Sequence, residues 1–429
     1  MSAEKTLFDK KSALIIALLC LITSTGRFVM DSYLPSMPSM AQNLGVSGNS
    51  IELTLTCYLL GFSISQLFYG PLSDNYGRKL ILIIGFILFL LANAICTFAA
   101  SMPVLLIGRL FAGIGMGASG VLNRAIASDC FSGNAFSKAW SYTTTTLVIV
   151  LIVAPLVGSE IQTLYGWRAN FILTTFYIFT TLIIIYFKLP ETNLNAIHSR
   201  INSRHPQTES IKTFKTVLQN YKIILATPSF ISGTLCYTLA FAGLISYFQI
   251  SSFLLMEKFG LSSFEYGFTS LLIALCYMAG GLIVNHFVAI LGSQNLLKMG
   301  IYIITLSGIF MGVLDQFETG IISLLLPICG YIIGTRIIIP NAIAHSFTGL
   351  RHLSGSTSGM IGFIQMLGSA IVSFIVSRFN INSPELLGVL FTILGSISLI
   401  IFYYPNIKTL FELPKFNHYN PPLIKINIK

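Results

Sequence analysis

The chain has 429 residues, of which 54% are hydrophobic and 9% are charged, and its formal net charge is +10. Soluble globular domains carry about 25% charged residues, so this composition excludes an ordinary soluble domain and favours lipid as the solvent. Apolar runs recur along the whole length, and about 20 such residues cross roughly 30 Å of hydrocarbon as a helix. Transmembrane strands would need short alternating segments, whereas these runs are continuous. We therefore predict an all-α integral membrane protein.

Twelve helical spans are predicted in chain order. They cover residues 12–34, 51–70, 80–100, 103–127, 140–162, 169–188, 227–252, 264–288, 294–314, 321–346, 354–378 and 385–404. The stretch 189–226 is rich in Pro, Asn, Ser and charged residues, which is typical of a linker. The predicted organisation is a six-helix bundle over 1–188, a cytoplasmic linker over 189–226, a second six-helix bundle over 227–404 and a cytoplasmic tail over 405–429.

The distribution of basic residues predicts the orientation. If the N-terminus is cytoplasmic, the cytoplasmic loops and tails hold 18 Lys and Arg residues and the opposite loops hold three. This bias follows the positive-inside rule, so we expect both termini in the cytoplasm. The excess positive charge then faces the anionic inner leaflet, and no nucleic-acid partner is needed to explain it.

Span 1 carries a cation and an anion, Arg27 and Asp31, inside an apolar run. Their i, i+4 spacing places both side chains on one helical face, where they can pair. An apolar pair would cost less to bury than an ion pair, so their presence indicates a working site. The alternative is a static pair that braces the helix.

The segment after span 2 reads GPLSDNYGRK, from Gly70 to Lys79. Gly70 allows close helix packing, and Asp74 can accept hydrogen bonds from a neighbouring helix N-terminus or from an arginine. Together with Gly77 and Arg78 the segment predicts a conformational latch at the cytoplasmic ends of the helices. The alternative is an ordinary charged loop.

Span 4 carries arginines and glycines on one helical face, at offsets of 4, 4, 3 and 4: Arg109, Gly113, Gly117, Gly120 and Arg124. An arginine at mid-membrane costs about 2.5–3.5 kcal/mol on insertion scales, so such residues usually face a bundle interior, a carboxylate or water. For Arg109 the alternative is a structural hydrogen bond to neighbouring carbonyls. For Arg124 it is a local pair with Asp129.

These motifs resemble those of the major facilitator superfamily. Segment 70–79 matches the superfamily's inner loop motif. DSYLPSMP in span 1, GRLFAGIGMGASGVLNRAIASD in span 4, and PNAIAHSF with LSGSTSG in spans 10 and 11 are similar to the Bcr/CflA-type drug–proton antiporters. The resemblance implies two bundles of six helices, alternating access and proton-driven export across a bacterial inner membrane. It also implies that Asp31 and Arg109 govern proton coupling.

The chain departs from that branch at three places. Arg27 stands where the family is normally apolar, and Arg336 in span 10 falls, by the repeat offset, within one residue of Arg124. In span 5, Pro155 and Gly158 remain from the family's exporter motif while its other glycines are replaced. Proline and glycine there still predict a bent, closely packed helix.

Four intramembrane arginines face one clear intramembrane acid, Asp31. A cavity of net positive potential favours an anionic substrate, and planar guanidinium groups suit carboxylates. The alternative is that one or two of the arginines extend to an interface, and that the polar amides only join helices. The residues predicted to bind substrate are polar and lie within spans: Arg27, Asp31, Arg124, Gln249, Arg336, Asn341 and Gln365.

Three functions compete at this point. They are a multidrug exporter, a dedicated transporter of an anionic metabolite such as a polycarboxylate siderophore or organic acid, and a non-transporting sensor or enzyme. The sequence has no nucleophile–base constellation, no Walker loop, no Rossmann glycine pattern and no metal-ligand spacing, so no enzyme, cofactor or metal is expected. We expect a monomer whose partners are a small-molecule substrate, protons and the lipid bilayer.

Overall fold

A computed structural model of the chain describes residues 10–131, 133–193, 219–317, 320–350, 353–379 and 383–403. Within these ranges the secondary structure is helical and contains no strand. The first half contains the helices Lys10–Asp31, Met37–Leu44, Gly48–Tyr76, Arg78–Thr97, Met102–Cys130, Gly133–Tyr165 and Trp167–Lys188. The second half contains Pro228–Ser252, Ser263–Phe317, Ile322–Ser346, Ser354–Phe379 and Pro384–Tyr403.

The helices have the length and apolarity of membrane spans. In the part of the chain that the structure describes, 11 helical segments are long and apolar enough to cross a membrane. One of them, Ser263–Phe317, has 55 residues, which at about 1.5 Å per residue is more than twice the hydrocarbon thickness. Gly292 interrupts it with a positive φ of 74°, so this segment forms spans 8 and 9. The prediction of an all-α membrane protein with twelve spans is confirmed.

Prolines and glycines decide where two of the helices end. The first helix of span 1 stops at Asp31, because Pro35 has no N–H to donate to the Asp31 carbonyl. The chain continues as a 3₁₀ turn, Leu34–Ser36, and the short helix Met37–Leu44. Span 2 runs past its predicted end and stops before Gly77, whose φ is 97°. Residues 71–76, which lie beyond the predicted end of span 2, are therefore helical.

Burial is inverted relative to a soluble protein. Large apolar side chains such as Phe68, Ile107 and Phe176 are more than half exposed on the outside of the bundle. Charged side chains such as Asp31 and Arg109 are buried inside it. This arrangement suits a lipid solvent, which accepts apolar surface and excludes unpaired polar groups.

The two halves make their most extensive contacts along two helix pairs. Span 2 packs against span 11, and span 5 packs against span 8. At the second contact, a Cβ added to Gly267 would lie 3.3 Å from Leu156 Cα, so the helices are nearly in backbone contact. We call the membrane side that carries residues 70–79 the inner side and the opposite one the outer side, following the predicted orientation. Most of the predicted linker and all of the predicted tail over 405–429 lie outside the described residues.

Candidate functional site

The pair predicted in span 1 is formed. Arg27 Nε donates to Asp31 Oδ2 at 2.5 Å, and Asp31 is fully buried while the Arg27 side chain is 15% exposed. The other carboxylate oxygen, Oδ1, has no hydrogen-bond partner among the residues described. Asp31 is also the last residue of its helix, at the break in span 1. One face of the carboxylate is therefore neutralised, and the other is available to a proton or a donor.

Side chains of the second half lie beside this pair. The Arg27 guanidinium carbon lies 5.2 Å from the centre of the Phe248 ring in span 7. Tyr266 of span 8 shares a 2.9 Å hydrogen bond with Ser251 of span 7 and lies within electrostatic range of Asp31. The ion pair thus belongs to the first half but lies at its junction with the second.

Span 5 packs directly against the break in span 1. A Cβ added to Gly158 would overlap the Ser32 carbonyl oxygen and lie 2.7 Å from the Ser32 carbonyl carbon. Asn170 of span 6 donates to Ser36 Oγ at 2.6 Å and to the Gly158 carbonyl at 2.9 Å. Pro155 lies inside the same helix. What remains of the exporter motif therefore allows the contact that fixes the backbone next to Asp31.

Arg109 has aromatic neighbours instead of a carboxylate. It is 1% exposed, and its guanidinium carbon lies 4.1 Å from the centre of the Tyr33 ring and 4.6 Å from that of Tyr58. Its Nε and Nη2 have no hydrogen-bond partner, and it forms no ion pair, within the described ranges. Cation–π attraction therefore stabilises the charge. Tyr58 also lies within electrostatic range of Asp31.

The glycine face of span 4 holds Tyr58 in this position. A Cβ added to Gly113 would overlap the Tyr58 carbonyl oxygen, and one added to Gly117 would overlap Ser65 Oγ. Spans 2 and 4 are therefore nearly in backbone contact. The close packing brings the Tyr58 ring onto the Arg109 guanidinium.

The two remaining intramembrane arginines lie nearer the inner side. Arg124 Nη1 donates to Ser358 Oγ of span 11 at 2.9 Å, which joins the two halves. The Arg336 guanidinium carbon lies 4.8 Å from the centre of the Tyr277 ring. Tyr237 of span 7 is within electrostatic range of Arg124 and Tyr277. Neither arginine forms an ion pair with any carboxylate that the structure describes.

The predicted amide residues make contacts between or within helices. Gln249 is fully buried, and its Nε2 donates to Glu52 Oε2 at 3.0 Å and to the Ser373 carbonyl at 3.1 Å. Asn341 Nδ2 donates to the Ile337 carbonyl of its own helix at 2.8 Å. Gln365 is buried. In this arrangement Gln249 joins three helices, and its role as a substrate ligand stays a prediction.

Sequence reasoning missed Glu52. It is 5% exposed, although it is only the second residue of a predicted span that follows Asn49 and Ser50, where exposure is usual. The signal that could have found it is its place inside the predicted span over 51–70. The membrane-embedded part of the chain therefore holds a second buried acid besides Asp31.

The latch residues form an ion-pair cluster at the inner side. Arg78 pairs with Asp74 at 2.5 Å and with Asp129 at 3.1 Å, which joins the ends of spans 2 and 4 to the start of span 3. Asp129 therefore contacts Arg78 and not Arg124, the local partner considered from the sequence. A Cβ added to Gly70 would meet one side chain at 3.9 Å, which is ordinary contact.

Glu191, which sequence reasoning also missed, caps span 3. Its carboxylate accepts from the backbone N–H groups of Arg78 at 2.8 Å and Lys79 at 3.2 Å, which have no partner inside the helix. A Cβ added to Gly77 would lie 2.8 Å from Glu191 Cδ. Asn193 Nδ2 donates to the Asp74 carbonyl at 2.9 Å. These latch contacts all lie within the first half, between spans 2, 3 and 4 and the segment after span 6.

A metal site is not found among the described residues, since no group of three or more His, Cys, Asp or Glu side chains there could hold an ion. The polar groups that meet at the junction of the two halves are instead arginines, tyrosines, amides and two carboxylates. Such a set can bind a small polar molecule and exchange protons.

Comparison with known proteins agrees with this architecture. Residues 16–373 match the family model described as Major Facilitator Superfamily. The chain is 24% identical over 387 residues to "Multidrug resistance protein D" of Escherichia coli (strain K12), covering 89% of this chain and 93% of the relative. It is 23% identical over 407 residues to the "Bicyclomycin resistance protein homolog" of Haemophilus influenzae, covering 94% of this chain and 98% of the relative.

Solved structures show the same fold. The crystal structure of a D-xylose-proton symporter matches with a TM-score of 0.73 at 15% identity, covering 91% of this chain and 97% of the other. The crystal structure of a peptide transporter, POT, in complex with sulfate matches with a TM-score of 0.70 at 14% identity, covering 91% of this chain and 93% of the other. The family matches confirm the resemblance drawn from the motifs. The chain is a multi-pass membrane transporter, not an enzyme, and it belongs to the Major Facilitator Superfamily.

Proposed function

We propose that this chain is a proton-coupled secondary transporter of small organic molecules that works by alternating access, and that its cavity favours carboxylate-bearing anions. The observation that carries the anion preference is the pair of arginines Arg124 and Arg336. One comes from each half, and neither has a carboxylate partner among the residues described. A guanidinium without a counter-ion at bilayer depth is costly, and a substrate carboxylate would offset that cost.

The surroundings of these arginines suit an organic anion. Tyr237 and Tyr277 provide apolar ring faces and hydroxyl groups beside the two guanidinium groups. Arg124 already holds one neutral hydroxyl, Ser358 Oγ, which a carboxylate can replace as acceptor. A carboxylate adds a full negative charge to that hydrogen bond and can accept from two guanidinium N–H groups at once, so the exchange favours the anion.

We assign the proton to Asp31. A substrate carboxylate that binds Arg27 leaves the Asp31 carboxylate without its cation, and a proton then neutralises it. Anion and proton thus bind together at this pair, which couples them in the same direction. A cationic substrate that pairs with Asp31 would compete with the proton, which couples them in opposite directions.

The second candidate is a multidrug exporter. It is favoured by the names of the relatives, which refer to multidrug and bicyclomycin resistance. Asp31 Oδ1, which has no partner among the described residues, could serve a cationic drug. A dedicated transporter of a polycarboxylate siderophore or organic acid is the narrower form of the first proposal. In each case we place the chain in a bacterial inner membrane, as a monomer with both termini in the cytoplasm.

Transport in proteoliposomes with an imposed pH gradient tests these candidates. We expect citrate-like anions to inhibit transport by competing with the transported substrate. Arg336→Ala should weaken that inhibition about tenfold or more, as the loss of a hydrogen bond to a charged group predicts. The matched control is Arg378→Ala, which removes an arginine at the outer end of span 11 that lies over the Phe374 ring. Competition by lipophilic cations alone, or equal losses in both variants, would refute the anion preference and favour the drug exporter.

A further inference from the structure

The outer side of the junction is held by a hydrogen-bond cluster around Glu52. Glu52 Oε2 accepts from Gln249 Nε2 at 3.0 Å, and Gln249 Oε1 accepts from Ser373 Oγ at 2.5 Å. Thr56, one turn after Glu52, shares a 2.6 Å hydrogen bond with the Ser373 hydroxyl. We call these four residues the outer gate. It joins span 2 of the first half to spans 7 and 11 of the second.

Glu52 is buried in the outer gate without a cation. Its partners there are a neutral amide and neutral hydroxyls, and it forms no ion pair within the described residues. The elements packed against span 2 include spans 3, 4, 7 and 11 and the short helix Met37–Leu44. Among the residues described, none of them brings a charged side chain within electrostatic range of Glu52. Burying an ionised carboxylate in this way costs several kcal/mol, whereas a neutral carboxylic acid with the same hydrogen bonds does not carry that cost.

We propose that Glu52 is a second protonatable group of the transport cycle and that its protonation closes the outer gate. The inference rests on the alternating access proposed above. Opening the outer side must separate span 2 from spans 7 and 11, because the gate bonds cross between the halves. Water then reaches Glu52 and stabilises its ionised form, so proton binding and closure are thermodynamically linked.

This role differs from that of Asp31. Asp31 lies at the break in span 1 with Arg27 as its cation, whereas Glu52 contacts no cation in the part of the chain described. Glu52 therefore senses protons from the outer side, and it need not carry them across. A merely structural Glu52 would hold the helices together equally well at every pH.

A buried reporter cysteine can measure the opening of the gate. Ser252 is fully buried and lies three residues after Gln249, on the same face of span 7, one turn nearer the outer end. Ser252→Cys changes one atom, and it is introduced into a variant whose seven native cysteines are replaced by serine or alanine. The rate at which a membrane-impermeant maleimide labels this cysteine reports the fraction of protein whose outer gate is open. The rate is measured in proteoliposomes without substrate and is corrected for the pH dependence of thiol reactivity.

We expect labelling to be about tenfold slower at about pH 5.5 than at about pH 8, which lies within the limit of about tenfold per pH unit that linkage to one protonation sets. Glu52→Gln keeps an acceptor for Gln249 and stays neutral, so it should be labelled slowly at both pH values. Thr56→Val removes one gate bond without a titrating group, and it should raise labelling at both pH values while keeping their ratio.

Equal labelling of the reporter protein at both pH values would overturn the proposal, as would a Glu52→Gln variant that keeps the pH dependence. If the cysteine replacements prevent folding, hydrogen exchange of residues 48–56 in the otherwise unaltered chain gives the same comparison. Glu52→Gln should then exchange more slowly than the wild type at the higher pH and equally at the lower. Because no substrate is present, a pH-dependent gate in a protein that fails to transport anions would refute the proposed substrate class and not the gate.

Discussion

The contact between span 5 and the break in span 1 gives the sharpest prediction, the effect of Gly158→Ala. The added methyl group would lie 2.7 Å from the Ser32 carbonyl carbon and 3.0 Å from Ser32 Cα, and both are backbone atoms that cannot rotate away. Ordinary contact between carbon atoms begins near 3.5 Å, so span 5 must move outward by about 0.8 Å or more. That movement also strains the Asn170 bonds to Ser36 and to residue 158.

Overpacking of this kind costs about 1–3 kcal/mol. For a unit of about 150–250 residues, the size of one half, each kcal/mol lowers Tm by about 2–4 °C, so we expect a fall of roughly 2–12 °C. Thermal unfolding in detergent measures it. Gly312→Ala is the matched control, because an added Cβ there meets nothing within 4 Å and its helix is likewise apolar.

The Gly312→Ala control should unfold at or above the wild-type temperature, because alanine in a helix interior is about 1 kcal/mol more favourable than glycine. A Gly158→Ala protein that unfolds together with the control would show that spans 1 and 5 are not in backbone contact. The contact beside Asp31 would then have to be abandoned.

Three further predictions concern the latch and Arg109. Gly77→Ala forces a side chain into a positive-φ conformation and toward Glu191. We expect this change to lower the free energy of unfolding by about 1–3 kcal/mol, measured by thermal unfolding. An unchanged Tm would contradict the positive φ of residue 77. Glu191→Ala removes the acceptor of two backbone N–H groups at the start of span 3 and should lower stability by about 0.5–2 kcal/mol by the same measurement, with Glu191→Gln closer to the wild type. Arg109→Met replaces a buried cation that lacks an ion pair among the described residues, so Tm should stay the same or rise. Transport by this variant should no longer respond to a pH gradient. Gradient-driven transport at the wild-type rate would reject a coupling role for Arg109.

The sequence by itself determined the features that depend on neighbours along the chain. Apolar length decides whether a segment can cross a bilayer, so the twelve spans could be counted before any packing was known. The i, i+4 spacing decides that Arg27 and Asp31 share a face, and the structure places Arg27 Nε 2.5 Å from Asp31 Oδ2. The glycine face of span 4 was predictable for the same reason, because helical periodicity is local.

Only the tertiary structure decided which groups meet across helices. Glu52 and Gln249 are separated by 197 residues, and Arg78 and Glu191 by 113, so no spacing rule connects them. Whether an acid near a span end faces water or a neighbouring helix depends on how the helices pack, which hydropathy does not encode. The burial of Glu52 and the capping of span 3 follow from that packing, because a polar group excluded from water must find its partner wherever the fold brings one.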